Sequence, residues 1–291
     1  MTSGSFDWAD YNKKKVHEVE MLFDPAYIAS KLKIPEVSNE GKNGRPYIYT
    51  NAEIAYYALP ATYLGLPYRQ SQGLAMILAK IAKRDNVPDY TTLFRRKISL
   101  TPDTNNIDMK KKTTIAVDST GIKVTNHGDW LRKKWKAERK GFIKLHLAVD
   151  VETKEIIAYE ITNEKSHDNK QFDKLVEKSK KKRKVKKVLA DGAYDCKKNL
   201  NRKDVDVAIR IRKNASDKSN GSKARKEMAK DQKNDWNLWR EVNGFGMRWM
   251  VETANSVFKG LFGEAVMAKL FKNMVHEMAW KITVFNLMRL M

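Results

Sequence analysis

Hydrophobic residues recur at two different spacings along this chain, and the change of spacing divides it in two. Up to about residue 104 the apolar positions recur every three to four residues, as in NAEIAYYALPATYLGL. The helix predicted for this stretch ends at Gly65. Pro67 stands where a second helix would begin, and Thr91 or Asp89 would cap a third. The pattern therefore predicts a small all-helical domain over residues 1–104.

From Thr113 onward the apolar residues alternate, which predicts β-strands. TTIAVD, GFIKLHLAVD and KEIIAYEIT form a first group, and VKKVLAD and VDVAIRIR follow after helical stretches. A strand meander followed by two crossover strands predicts an α/β domain over residues 105–291, with a mixed five-stranded sheet and flanking helices. The segment TPDTNNIDMKKK has turn residues and no periodicity, so it is predicted to be the linker.

Two of the predicted strands end in an aspartate that is followed by a glycine-bearing loop. Asp118 closes TTIAVD and Asp191 closes VKKVLAD. If the fourth strand lies parallel beside the first, as this order permits, both carboxylates fall close together at the edge where ligands bind. Two such anions repel each other unless a cation joins them, and oxygen ligands favour Mg²⁺ or Mn²⁺.

A helical stretch near the end of the chain, FGMRWMVETANSVFK, supplies a third acid, Glu252. Arg248 and Lys259 lie on the same predicted helix face as Glu252. With Asp118 and Asp191, Glu252 would bind two metal ions, one activating a water or a 3′ hydroxyl and the other stabilising the leaving oxygen. Arg248 and Lys259 would hold phosphates beside them.

The charge balance favours an anionic polymer as partner. The chain has 57 Lys+Arg against 35 Asp+Glu, a formal net charge of +22, while 42% of its residues are hydrophobic. A folded protein of this charge is typical of DNA binding. No apolar run reaches the ~18 residues of a membrane span, so we expect a soluble, cytoplasmic protein with no membrane partner. The single Cys196 excludes an internal disulfide framework and a Cys-rich zinc site.

Basic clusters in two places are candidates for contacts with the DNA backbone. The short amino-terminal helices resemble a helix-turn-helix whose last helix is exposed, although a helical bundle with solvated arginines fits equally well. The run KSKKKRKVKK is either a DNA-backbone patch or a solvated surface run. The candidate residues are Arg95, Arg96 and Lys97 in the first cluster and Lys181, Lys182 and Arg183 in the second. Residues 213–235 lack apolar content and are predicted to be a basic, mobile insertion that orders on DNA.

Taken as a set, AVDSTG, LADGAYD and the helix around Glu252 resemble the DDE transposases of prokaryotic insertion sequences, in the superfamily of families four and five. Their signature, Y-x2-R-x3-E-x6-K, is matched here in spacing by Phe245, Arg248, Glu252 and Lys259, with Phe245 in place of Tyr. GFIKLHLAVD, the SHD motif at residues 166–168 and PYRQSQG extend the resemblance over roughly residues 45 to 290.

This resemblance implies a ribonuclease H-like catalytic domain with Asp118, Asp191 and Glu252 as catalytic metal ligands. It also implies a transposase that binds terminal inverted repeats and target DNA, acts as a homodimer in the DNA complex, and cleaves and joins DNA with two Mg²⁺ ions, for which Mn²⁺ can substitute. Two alternatives stay open. One is a metal-dependent nuclease of the same fold that only hydrolyses, and the other is a transposase-derived DNA-binding protein that no longer catalyses a reaction.

Overall fold

A computed structural model describes residues 7–37, 39–41, 43–100, 102–104, 106–124, 141–212 and 222–290. The chain forms two compact units, one made of Met1–Asn106 with Ala268–Met291 and the other of Ile107–Met267. Within the described ranges no helix is both long enough and apolar enough to cross a membrane.

The described elements are numbered in chain order. The helices are α1 (Trp8–Met21), α2 (Pro25–Lys31), α3 (Asn51–Tyr63), α4 (Tyr68–Ile81), α5 (Tyr90–Ser99), α6 (Phe172–Lys180), α7 (Lys197–Leu200), α8 (Lys223–Asn234), α9 (Trp236–Val242), α10 (Trp249–Phe262) and α11 (Phe271–Leu287). The strands are β1 (Leu32–Lys33), β2 (Asp103–Thr104), β3 (Asp108–Lys123), β4 (Phe142–Asp150), β5 (Ile156–Asn163), β6 (Arg183–Ala190) and β7 (Asp206–Ile209). Short 3₁₀ turns cover Asp168–Lys170, Gly192–Tyr194 and Phe245–Arg248.

The first unit is helical, apart from the short antiparallel pair of β1 and β2. Its helices begin where the sequence places caps: Thr50 and Glu53 form a capping box at α3, α4 follows Pro67, and the Asp89 side chain accepts a bond from the Thr92 amide at α5. Gly65 ends α3 with a positive φ of 64°. Local capping chemistry therefore accounts for these helix boundaries.

The last helix, α11, belongs to the first unit, whereas the sequence pattern grouped it with the α/β domain of residues 105–291. Trp280 Nε1 donates to Lys97 O at 3.0 Å, and Thr283 Oγ1 donates to Pro102 O at 2.8 Å. Tyr27 Oη donates to Leu287 O at 2.9 Å. Such long-range contacts have no local sequence signal, so the pattern of apolar residues did not reveal them.

The prediction that Arg96 and Lys97 are exposed on α5 is wrong, and only Arg95 of that group is exposed. The buried Arg96 guanidinium donates to Tyr49 O at 3.0 Å and also bonds Asn51 Oδ1. Lys97 Nζ donates to Thr62 Oγ1 at 2.7 Å between aromatic rings, and burial lowers the pKa of Lys97 to about 8. Both side chains bond within their own unit, so neither the exposed recognition helix nor the bundle with solvated arginines describes them.

The second unit is built on a mixed sheet in the order β5-β4-β3-β6-β7. β4 lies antiparallel to both β3 and β5, while β6 runs parallel to β3 and β7 runs parallel to β6. This is the predicted ribonuclease H-like arrangement, with the fourth long strand parallel beside the first. Parallel neighbours require crossover connections, and helices α6 and α7 lie in them.

Helices cover both faces of this sheet. On one face, Phe172, Leu175 and Val176 of α6 pack with Ile115 and Val117 of β3 in a core cluster, as the α6 apolar stripe predicts. Side chains of consecutive strand residues point to opposite faces, so residue 118 points away from α6. Helix α10 packs against β3 and β4, and its buried stripe is Val251, Ala254, Asn255 and Phe258.

Strand β3 is longer than predicted at both ends. The predicted linker ends earlier, because β3 begins at Asp108, where the polar stretch Asp108–Thr113 pairs with β6 through two register shifts. Beyond Asp118 the residues predicted to form a loop continue as strand to Lys123 and pair with β4. The prediction missed both extensions of β3 because it relied on alternating apolar residues, and the residues there are mostly polar.

Part of the segment predicted as an insertion, residues 213–235, is a packed helix. Residues 213–221 lie outside the described part, while Lys223–Asn234 form α8. Ala229 is buried in the sheet core, and Gln232 bonds Ile211 N and Ile209 O at 2.9 and 2.8 Å. The described portion is therefore a helix docked on the end of β7, although its composition is strongly polar.

Arg183 corrects the prediction of a basic DNA patch before β6. Its side chain is only 2% exposed and forms an ion pair with Glu155 at 3.0 Å, in a buried position. The pair links the first residue of β6 to the end of the turn between β4 and β5. Lys181 is exposed and Lys182 is half-buried, so these two are the members of the predicted patch that remain accessible to solvent.

Removing one member of this ion pair leaves the other charge buried and uncompensated. Arg183→Ala is expected to lower the free energy of unfolding by about 3–5 kcal/mol, measured by urea denaturation. The exposed Lys181→Ala is the control and should change it by less than about 0.5 kcal/mol. The double variant Arg183→Met/Glu155→Leu should recover most of the loss; an Arg183→Ala effect as small as that of the control contradicts the structural role.

Candidate catalytic carboxylates at the sheet edge

Asp118 and Asp191 are brought together by the parallel pairing of β3 with β6. The last residues paired in this ladder are Val117 and Ala190, and each aspartate is the next residue of its strand. Neighbouring strands lie about 4.8 Å apart, so the two aspartates occupy adjacent positions at the edge of the β3–β6 ladder. The expectation that they are neighbours is confirmed, although Asp118 lies within β3 rather than at its end.

The Asp191 loop is a tight turn built from the DGAYD motif. The Asp191 side chain accepts a bond from the Ala193 amide at 3.0 Å and caps the 3₁₀ turn Gly192–Tyr194. A Cβ at Gly192 would come within 3.3 Å of the Arg210 carbonyl oxygen, which leaves little room for a side chain. Glycine therefore favours close approach of the loop to the chain that follows β7, where a larger residue would have to displace the backbone slightly.

Asp118 experiences the charges of both other predicted acids. The pKa of Asp118 is raised from its ordinary value near 3.8 to about 6, chiefly by burial; the charges of Asp191 and Glu252 add to this rise, while the Ser119 amide and the Arg248 charge oppose it. A shift with these causes shows that the three acids and Arg248 share one electrostatic environment. The ionised Asp118 is disfavoured there unless a positive charge approaches.

Glu252 lies in the first turn of α10, and its side chain is 53% exposed. Its carboxylate forms an ion pair with Arg248, which is the residue immediately before α10 and is less exposed than Glu252. The predicted phosphate-binding arginine is thus paired with the third acid. Lys259 is half-buried two turns later, where its charge helps to lower the pKa of Glu264.

Asn255 is a part of this site that the sequence analysis missed. It lies one turn after Glu252 on α10, is 8% exposed, and its Nδ2 donates to Asp118 Oδ2 at 3.2 Å. Its Oδ1 atom is buried and has no hydrogen-bond partner among the residues that the structure describes. The position was detectable, because a polar residue interrupts the apolar stripe of the helix on the buried side.

Tyr194, also missed, is buried within the DGAYD turn. Its pKa is raised well above the ordinary value, first by burial and then by the charges of Asp118, Asp168 and Asp191. Its hydroxyl has no partner in hydrogen-bond geometry in the described part of the chain, although nearby Ser119 opposes the rise. The Tyr194 phenol is therefore held neutral within range of the charges of Asp118, Asp168 and Asp191.

The SHD motif adds a polar group supported by β4. Lys144 Nζ bonds Asp168 Oδ1 at 3.1 Å, and the fully buried His146 Nε2 lies 2.9 Å from Thr162 Oγ1. His146 Nδ1 is 3.7 Å from Asp168, and burial lowers the pKa of His146. His167 is exposed beside this group. A neutral His146 held by Thr162 fits a structural role.

The donor chemistry of the three acids fits a hard divalent cation, but their arrangement is only part of a metal site. In the described ranges, no three His, Cys, Asp or Glu side chains are close enough together to hold a metal ion. The half-buried Asp118 and its acidic neighbours favour a cation at this edge. Glu252 lies apart from the other two acids, and its Oε1 atom is bonded to Arg248, which competes for this carboxylate.

The turn before α10 is held by aromatic packing. Phe245, which stands where the signature has Tyr, is buried, and its ring lies 5.7 Å from that of Trp236 and 5.1 Å from that of Trp239. These contacts fix the turn that carries Arg248 into α10. A phenol hydroxyl is not needed for this packing.

Comparison with known proteins identifies the family of the chain. Two family models match the sequence, each described as a transposase DDE domain, one over residues 109–287 and the other over residues 15–127. A cryo-EM structure of the piggyBac transposase synaptic complex with hairpin DNA is similar to the chain at 9% sequence identity and a TM-score of 0.41, covering 94% of this chain and 73% of that one. That likeness is remote, whereas the first family match spans more than half of the sequence. The chain therefore belongs to the transposases with a DDE domain.

Proposed function

We propose that this transposase binds the terminal inverted repeats of an insertion sequence and both cleaves and joins DNA there in a metal-dependent reaction. The observation that carries the proposal is the placement of Asp118 and Asp191 as the next residues after a parallel strand pair, with Glu252 acting on the same carboxylate. In the reaction, water breaks a phosphodiester bond to leave a 3′ hydroxyl. That hydroxyl then attacks a phosphodiester of the target DNA, so the protein forms no covalent intermediate.

Asp118, Asp191 and Glu252 would hold two Mg²⁺ ions, with Mn²⁺ as a substitute. Bound there, the ions supply Lewis-acid stabilisation of the attacking and leaving oxygens. The protein's own contribution is orientation: Asn255 Nδ2 holds one oxygen of Asp118, and the Ala193 amide holds one oxygen of Asp191.

Arg248 would exchange its partner when DNA binds. A guanidinium can grip a phosphate through two parallel bonds, and such charge-assisted bonds are worth about 1.5–3 kcal/mol each. Once Arg248 holds phosphate, the Glu252 carboxylate becomes available to the aspartates. Lys259, on the same helix, would hold a further phosphate as a point charge.

The wider DNA contacts are proposed from charge. The exposed Arg95 on α5 and the exposed Lys181 with half-buried Lys182 before β6 are the members of the predicted basic clusters that remain accessible. The first unit, which contains Arg95, is proposed to recognise the terminal repeats. Because an insertion sequence has two ends, each needing a catalytic site, two copies of the chain would act in the DNA complex. The protein would act in the cytoplasm of a prokaryotic cell.

Each of the three acids is expected to be required for cleavage. Asp118→Ala, Asp191→Ala and Glu252→Ala should each lower the rate of nicking of an end-containing DNA fragment in Mg²⁺ by about 1,000-fold or more, because each removes a metal ligand. DNA binding should be largely retained. The control is Asp206→Ala, which removes an exposed carboxylate at the opposite end of β7. Nicking at the control rate by any single variant would contradict the assignment.

The pKa of Asp118 makes stability without metal depend on pH. Because the folded-state pKa is about 6 and thus above the unfolded value, the contribution of Asp118 is complete below pH ~4 and is lost as the pH rises through about 6. A rise in pKa of this size corresponds to roughly 3 kcal/mol in the free energy of unfolding. Asp118→Asn should therefore become more stable than the wild type as the pH rises between these values.

Urea denaturation in a chelator at several pH values measures this difference, with Asp206→Asn as the control. Mg²⁺ should stabilise the wild type but not Asp118→Asn. Adding Mg²⁺ should therefore reduce the difference between their free energies of unfolding at neutral pH. Parallel stability curves for wild type and Asp118→Asn across this range would show that Asp118 is not destabilised by its surroundings.

Arg248 is expected to affect phosphate positioning more than metal binding. Arg248→Ala should slow single-turnover cleavage about 10–100-fold, and Arg248→Lys should remain impaired because an ammonium cannot make the two-point contact. Mg²⁺ affinity should be unchanged or higher in Arg248→Ala, since Glu252 loses its competing partner, whereas Glu252→Ala should weaken it. Arg240→Ala, an exposed arginine of α9, is the control. Equal loss of Mg²⁺ affinity in Arg248→Ala and Glu252→Ala would contradict the proposal that Arg248 binds phosphate and not metal-bound carboxylate.

A further inference from the structure

A third residue continues the row formed by Asp118 and Asp191 across the sheet edge. The parallel ladder of β6 and β7 ends at the pair Ala190 and Ile209, so Arg210 is the next residue beside Asp191. The Arg210 amide donates to Ala190 O at 3.2 Å, which continues the ladder by one residue. Two strand spacings separate Arg210 from Asp118, or roughly 10 Å between backbones.

Arg210 also points to the same side of the sheet as the acids. Val117, Ala190 and Ile209, the residues before the three in question, all belong to the core cluster that packs on α6. Strand residues alternate between faces, so the following residues of these strands point to the α10 side. The sheet edge thus presents two carboxylates and then a guanidinium on one face.

The Arg210 guanidinium lines a cavity of about 260 Å³ just beyond β7. The cavity is also lined by Arg212, Gln232, Lys233 and Trp236. The guanidinium carbon of Arg210 lies 5.3 Å from the centre of the Trp236 ring, which holds its planar group against an aromatic surface. Arg212 Nε donates to Gly192 O at 3.0 Å, so the same cavity adjoins the Asp191 loop.

The cavity carries positive charge that the described part of the chain does not neutralise. Neither Arg210 nor Arg212 forms an ion pair with any residue that the structure describes, and both are exposed. The nearby Asp195 carboxylate is already bound by Arg225 at 2.7 and 2.9 Å and by the Arg212 amide. Two accessible guanidinium groups in one cavity require an anionic ligand or solvent.

The surroundings of the Trp236 ring favour a phosphate group over a nucleobase as the ligand of this cavity. Trp239 stacks on Trp236 with ring centres 5.3 Å apart and planes at 24°, and Arg210 lies over the same ring. Phe245 approaches it edge-on at 5.7 Å. With these neighbours in place, the ring supports the guanidinium and is not available as a platform on which a nucleobase stacks. The cavity therefore suits a phosphate oxygen rather than an unpaired base.

We propose that Arg210, with Arg212, forms a phosphate-binding site that holds the DNA backbone one or two nucleotides from the phosphate at the acids. This inference rests on the proposed function, since it needs DNA at the sheet edge. Its physical role is to offset the repulsion between the DNA backbone and the acidic edge and to fix the direction in which the strand crosses it. A guanidinium supported by an aromatic ring loses little side-chain entropy on binding.

The test compares the salt dependence of DNA affinity for variants that remove one positive charge. Arg210→Ala should weaken binding of a duplex oligonucleotide about tenfold at low salt and reduce the slope of log K against log salt by about 0.9, the value for one phosphate contact. Arg210→Lys should keep the slope but bind more weakly, because it retains charge without the planar group. Lys174→Ala, an exposed charge on α6 at the opposite sheet face, is the matched control and should retain the wild-type slope.

Arg210 is the cleaner probe because Arg212→Ala would also break the bond to Gly192 O. The thermal unfolding midpoint of Arg210→Ala should match that of the wild type, as expected for an exposed side chain. If the wild type binds and cleaves DNA but Arg210→Ala has the slope of Lys174→Ala, the phosphate site is wrong and the proposed function stands. If the wild type neither binds nor cleaves DNA, both proposals fail.

Discussion

The partial burial of the Asp118 carboxylate beside a second acid is the constraint on which the proposed catalytic edge depends. Parallel pairing of β3 with β6 leaves no freedom in this placement, because Val117 and Ala190 are partners and the acids follow them. The resulting pKa of about 6 for Asp118 means that the fold alone disfavours its ionised form near neutral pH. The Ser119 amide, the Asn255 amide and the Arg248 charge offset only part of that cost. A site of this kind gains stability when a cation binds.

The Ala193 amide holds the Asp191 side chain directly, and the loop that carries both residues is supported by residues that follow β7. Arg212 bonds the carbonyl of Gly192, and Arg225 of α8 binds Asp195 in two-point fashion. Gln232 fixes the same helix to the end of β7. Helix α8 therefore braces the DGAYD loop, which gives its polar side chains a structural purpose besides any contact with DNA. Its strongly basic composition reflects one side that bonds the loop and another that faces solvent.

The sequence predicted the features that local periodicity and capping control. Alternating strands, the end of α3 at Gly65, the Asp89 cap of α5, and the neighbouring positions of Asp118 and Asp191 all follow from spacing, capping and strand order. Burial of charged residues does not, because the partners are far away in the chain. Arg183 pairs with Glu155, 28 residues before it, Lys97 bonds Thr62 across 35 residues, and Trp280 reaches Lys97 across 183. A run of basic residues looks the same in sequence whether or not one of its members points inward.

The ion pair between Arg248 and Glu252 is compatible with the phosphate-binding role proposed for Arg248 and the metal-binding role proposed for Glu252. The interaction free energies explain why. An i,i+4 ion pair on an exposed helix surface is worth only about 0.3–0.5 kcal/mol, since water screens both charges. Exchange of this carboxylate for a phosphate held by two charge-assisted bonds is therefore favourable, at about 1.5–3 kcal/mol per bond. Glu252 is half-exposed and can reorient at little cost, whereas Asp118 and Asp191 are fixed by their strands. The third acid is thus the adjustable member of the site, and the charge that Arg248 meets decides which partner Glu252 takes.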